Sequence, residues 1–117
     1  MAYDTKLADR VRLYLNRNQK NAIEEKKMFA GLAFMINGKM CINVSGEKLM
    51  CRFDPAQTED VAEKDGFSPM IMKGRNYKGY CYVEPAGFKN EKDFEFWMNL
   101  CLSFNVMAKS SKKNKSN

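Results

Sequence analysis

Apolar and polar positions are most clearly organised between Lys26 and Phe53, KKMFAGLAFMINGKMCINVSGEKLMCRF. Asn37-Gly38 and Ser45-Gly46 each separate two apolar-rich runs, and such pairs supply the positive φ angles of two-residue hairpin turns. The stretch therefore predicts three consecutive antiparallel strands. Two-residue turns would set Met35 opposite Met40, Ala33 opposite Ile42, Val44 opposite Glu47, Ile42 opposite Leu49 and Met40 opposite Cys51. One face would then carry Ala33, Met35, Met40, Ile42, Val44, Leu49, Cys51 and Phe53. The other would carry Leu32, Phe34, Ile36, Cys41, Asn43, Lys48, Met50 and Arg52. Both faces are too apolar to stay wet, so one is core and the second is covered by a helix or used as an interface. Leu32, Phe34, Ile36, Cys41 and Met50 are the candidate oligomer contacts on that second face.

The flanking segments predict helices and a second hairpin. Residues 4 to 18 place Leu7, Val11, Tyr14 and Leu15 on one stripe and charged residues on the other side, with Asp4 as N-cap. A polar connection through residues 20 to 24 leads into the strands. Asp54-Pro55 opens a short surface helix reaching about Lys64. Phe67 to Lys73 reads as a strand, GRNYKG from Gly74 to Gly79 as a loop, and Tyr80 to Glu84 as the returning strand. From Asn90 onwards the chain is helical, and Phe94, Trp97, Met98, Cys101, Leu102 and Asn105 share one stripe. Phe96, Leu100, Phe104, Val106 and Met107 make the other side apolar too, which predicts burial on more than one side. The order helix, three-stranded meander, short helix, two-stranded hairpin, helix predicts a two-layer α+β domain with an antiparallel sheet.

A length of 117 residues accommodates one such domain. The net charge of +6 changes the picture only when it is located. Residues 108–117, AKSSKKNKSN, hold four lysines and no acid, which leaves +2 for residues 1–107. The domain is therefore assigned to 1–107, and 108–117 is expected to be a disordered basic tail. No run approaches the ~18 apolar residues of a membrane span, and MAYDTKLADR lacks an apolar leader, so a cytoplasmic protein without membrane association is expected.

Chemistry is sparse. The chain has no histidine, which removes the usual general base and the usual zinc partner. Cys41, Cys51, Cys81 and Cys101 lie in apolar runs without CxxC spacing and read as buried thiols. In the register above Cys41 and Cys51 point to opposite faces. No catalytic, cofactor-binding or metal-ligating set emerges, and a non-enzymatic protein is expected. The one candidate polar site is basic, comprising Lys26, Lys27, Arg52, Lys73, Arg75 and Lys78, with Tyr77 able to stack on a base. It would contact anions or nucleic acid weakly.

Four stretches, YDTKLADRVR, KKMFAGLAFMINGKM, SGEKLMCRFDP and MKGRNYKGYCYVEP, together resemble the N-terminal domain of bacterial TfoX/Sxy-type competence regulators, over about residues 2 to 106. The resemblance implies a secretion-chaperone-like α+β fold in a standalone, cytoplasmic bacterial module. The resemblance brings no catalytic residues. The leading expectation is a regulatory or interaction module acting through a protein partner, with a homodimer through the second sheet face among the forms expected, and weak nucleic-acid binding by the basic loop and lysine tail is the alternative. Members usually carry two glycines after the KKMF element, whereas this chain has Ala30 and Gly31. GRNYKG stands where GRPMKG is common.

Overall fold

The computed structural model describes residues 3–28 and 30–108. The predicted basic tail, apart from Ala108, lies outside them. Helix α1 spans Thr5–Asn18 and is capped by Asp4, whose Oδ1 accepts from the Lys6 and Leu7 amides at 2.9 and 3.2 Å. This satisfies two of the donors that a helix start leaves open. The chain continues through β1 (Ile23–Met28), β2 (Gly31–Ile36), β3 (Lys39–Ser45) and β4 (Lys48–Arg52). A 3-10 turn over Pro55–Gln57 leads into α2 (Thr58–Val61). Then come β5 (Phe67–Met72), β6 (Arg75–Val83) and, after a 3-10 turn at Pro85–Gly87, α3 (Glu91–Asn105), capped by Asn90.

The strands form one six-stranded antiparallel sheet ordered β1-β2-β3-β4-β6-β5. The fold is thus two-layer α+β, with one strand more than the hydrophobic pattern predicted. The additional strand is β1, IEEKKM, which has no apolar alternation and is fixed by pairing from Ile23 with Ile36 to Met28 with Gly31. Its charges suit an edge strand, where they discourage pairing with another chain.

Register departs from expectation at two places. The Asn37-Gly38 turn forms as predicted, with φ of 57° and 75°, and Met35 faces Met40. A bulge then intervenes. Phe34 pairs with Ile42, leaving Cys41 as the extra residue and setting Ala33 opposite Asn43 rather than Ile42. Because side chains alternate with period two, one inserted residue transfers everything beyond it to the other face. The second turn is Gly46-Glu47, since Ser45 pairs with Lys48 and Val44 with Leu49. Gly46 supplies the positive φ there, at 60°.

The bulge redistributes the two faces. Leu32, Phe34, Ile36, Cys41, Ile42, Val44, Leu49 and Cys51 share the main core with Leu7, Val11 and Leu15 of α1 and Phe94, Trp97 and Cys101 of α3. Trp97, 1% exposed, donates its indole N–H to the Gly87 carbonyl at 3.1 Å. Helix α3 is flanked by the sheet and by α1, and Phe96, Leu100 and Phe104 are half-buried while Val106 and Met107 are exposed. The opposite face carries a separate cluster of Ala33, Met35, Met40, Met50 and Met70, joined by half-buried Met28, Tyr80 and Tyr82. Among the described residues no helix contributes to it. The expected contact face is therefore divided: Leu32, Phe34, Ile36 and Cys41 are buried beneath helices, and Met50 is buried on the other side.

Between β1 and β2, Ala30 stands at φ 56°, in the left-handed region that favours glycine. Gly31 is required for space, since a Cβ there would lie 2.1 Å from the Val44 carbonyl oxygen.

Candidate interaction site

Beyond the part of the sheet that β4 reaches, β5 and β6 continue as a projecting hairpin. Strand β4 pairs with β6 only from Arg52 with Tyr80 to Leu49 with Val83. The remainder of β6 pairs with β5 alone, Ile71 with Asn76 and Met72 with Arg75. The turn is Lys73-Gly74, both residues having positive φ, at 53° and 76°. GRNYKG is thus mostly strand rather than loop. Tyr77 to Tyr80 bulge opposite the single residue Met70, and Gly79, at φ 87°, marks the bend. A Cβ at Gly79 would come within 3.0 Å of the Phe53 carbonyl oxygen and Pro55 Cγ. The bend is pinned by hydrogen bonds from the Phe53 amide to Gly79 O, 2.8 Å, and from the Gly79 amide to Thr58 Oγ1, 3.3 Å.

The arm carries Lys73, Arg75, Tyr77 and Lys78, all exposed, together with Ile71, which is 59% exposed. Three of the six candidate cations are therefore gathered. Lys26 and Lys27 are on β1, at the far edge of the sheet, and alternation sends them to opposite faces. Lys26 lies 3.9 Å from Glu24, an acid that offsets its charge. Arg52, at the end of β4, has its guanidinium carbon 5.8 Å from the centroid of the Tyr80 ring and 5.5 Å from that of Phe104. These are cation–π distances, and they tie Arg52 to aromatic faces of the domain.

Arg10 and Arg12 of α1 are held by partners within the domain. Arg12 forms a forked pair with Glu25, Nε to Oε2 at 2.6 Å and Nη2 to Oε1 at 2.8 Å, and also reaches Asp9 at 2.6 Å. Its hydrogen bond, more than its charge, holds the Glu25 carboxyl below the usual range, and burial opposes this in part. Arg10 donates to Phe88 O and Glu91 and lies 3.8 Å from the Phe94 ring centroid.

All four cysteines are free and buried, and they converge under α3. Cys51 and Cys81 are cross-strand partners. The bulge at Cys41 transfers the residues beyond it, Cys51 included, to the face that Cys41 shares with Phe34, contrary to the expected register, so Cys41 and Cys51 share a face. Burial pushes the Cys41 and Cys51 thiols well up, with neighbouring cysteines adding to the effect. They are held as protonated thiols, poor nucleophiles and poor ligands. Among the described residues no group of three or more His, Cys, Asp or Glu is arranged to hold a metal ion. Among them, too, no helix is long and apolar enough to cross a membrane.

A six-stranded antiparallel sheet with helices on one face and a projecting basic hairpin defines a small two-layer α+β domain. The chain belongs to the TfoX N-terminal domain family, whose model matches residues 17–105. No curated protein and no solved structure matches it.

Proposed function

We propose that this protein is a non-enzymatic regulatory module, related to the N-terminal domain of competence regulators, that acts by protein contact as a homodimer. The carrying observation is the asymmetry of the sheet edges. Strand β1 presents Glu24, Glu25, Lys26 and Lys27, whereas β5, FSPMIM, has no charge and leaves Ile71 exposed. An uncharged edge with an exposed apolar residue is a template for strand pairing, and two copies of β5 can pair about a two-fold axis. Sedimentation at tens of micromolar tests this reading. A dimer that becomes monomeric in Ile71→Lys, with unchanged circular dichroism, supports it. A wild-type monomer overturns it.

A second reading rests on the grouping of Lys73, Arg75 and Lys78 around Tyr77, which suits weak contact with single-stranded nucleic acid. Phosphate contacts release counterions, so anisotropy of a labelled oligonucleotide should fall steeply with salt and should weaken in Arg75→Ala. Binding lost on removing residues 108–117, yet unchanged in Arg75→Ala, would assign it to the tail and not the arm.

A further inference from the structure

The ends of α1 and α3 and the β2–β3 turn border an open cleft of about 430 Å³, within the ~300–1,000 Å³ span of ligand sites. Five asparagines line it: Asn18 and Asn21 from the end of α1 and its following loop, Asn37 from the turn, and Asn99 and Asn105 from α3. In a chain that is 29% charged, none of the described lining residues is ionisable. Ile36, Leu102 and Val106 supply apolar surface.

Three of the carboxamides are held by one end. Asn18 donates its Nδ2 to Tyr14 O at 2.8 Å, which leaves its oxygen. Asn99 accepts the Tyr14 hydroxyl on Oδ1 at 2.8 Å, which leaves its NH₂. Asn105, only 5% exposed, donates Nδ2 to Ile36 O at 3.4 Å, and its Oδ1 accepts nothing from the described residues. Asn105 lines the cleft, and among the described residues only Asn43 Oδ1 is fully enclosed without a partner. The cleft is thus lined by one nearly buried carboxamide and by two others whose remaining ends are one donor and one acceptor.

We propose that this cleft is a binding site for an uncharged, extended peptide segment with one aliphatic side chain. A peptide unit offers one donor and one acceptor, and a carboxamide matches both. The aliphatic side chain would cover Ile36, Leu102 and Val106. No aromatic side chain among the described residues lines the cleft, which gives a nucleobase no stacking surface there. The site is separate from the β5–β6 arm and stands whether or not the arm dimerises.

The test is amide-detected NMR titration of the full chain with an acetylated, amidated Gly-Ser-Leu-Ser-Gly peptide. Saturable shifts of the Asn18, Asn99 and Asn105 side-chain amides, unchanged between low and high salt, are expected. Asn99 is exposed, so Asn99→Asp should fold normally while replacing the donor with an acceptor, and it should weaken binding about tenfold. Arg75→Ala should leave it unchanged. No shift of these amides at millimolar peptide, or saturation by methyl glucoside or uridine in place of the peptide, would overturn the proposal.

Discussion

The two faces of the sheet are both apolar, yet they are built differently. Beneath the helices, Phe34, Phe53, Phe94 and Trp97 interlock with β-branched and aliphatic residues, and Trp97 also makes a directional bond to Gly87 O. On the other face a run of methionines and tyrosines crosses the sheet without a helix, from Met28 on one edge strand to Met70 on the other. Aromatic rings fit only one arrangement, whereas methionine is unbranched and adapts to irregular space. The first face specifies the fold, and the second closes the sheet surface with tolerance for change.

That contrast can be broken by mutation and solvent. Trp97→Ala should cost about 3–5 kcal/mol in urea unfolding, from lost contacts and the cavity left behind. On the methionine face, Met50→Leu conserves volume and should cost less than about 1.5 kcal/mol. A comparable loss for both would show that the methionine face is equally shape-specified.

The buried thiols sharpen the comparison through pH. Unfolded thiols ionise above about pH 8.5, while Cys41 and Cys51 stay protonated in the fold. Their contribution is therefore fully present below that pH and declines as pH rises above it toward the folded values. Urea midpoints between pH 8 and pH 10 should fall less steeply in Cys51→Ala than in the wild type.

Two smaller effects concern the β1 edge. Ala30→Gly removes the strain of a left-handed alanine and should add about 1 kcal/mol to stability. Glu25→Gln weakens the forked contact with Arg12, whose partners are about a third exposed, and should cost only about 0.2–1 kcal/mol at neutral pH. Because the fold depresses the Glu25 pKa, its stabilisation is present above the ordinary carboxylate range and is lost as pH falls through the folded value. The variant's deficit should therefore vanish in acid.

Local signals along the chain were enough to specify α1 and α3, their caps at Asp4 and Asn90, the Asn37-Gly38 turn, the buried thiols and the two-layer α+β class, because each is written in short-range periodicity or turn chemistry, whereas the short helix expected to reach Lys64 ends at Val61. The family resemblance rested on the same local motifs. Three features were settled only by tertiary structure. Strand β1 has no pattern of its own and exists through pairing with β2. The bulge at Cys41 carries no local signature, and it alone decided that Leu32, Phe34, Ile36 and Cys41 lie under helices while Met50 does not. The grouping of candidate side chains was also decided in three dimensions: strand order separates Lys26 and Lys27 from Lys73, Arg75 and Lys78, and the converging ends of α1 and α3 gather asparagines as much as 87 residues apart in sequence. Pairing across a sheet and docking of helix ends depend on contacts between distant segments, and a linear pattern of apolar and polar residues does not encode them.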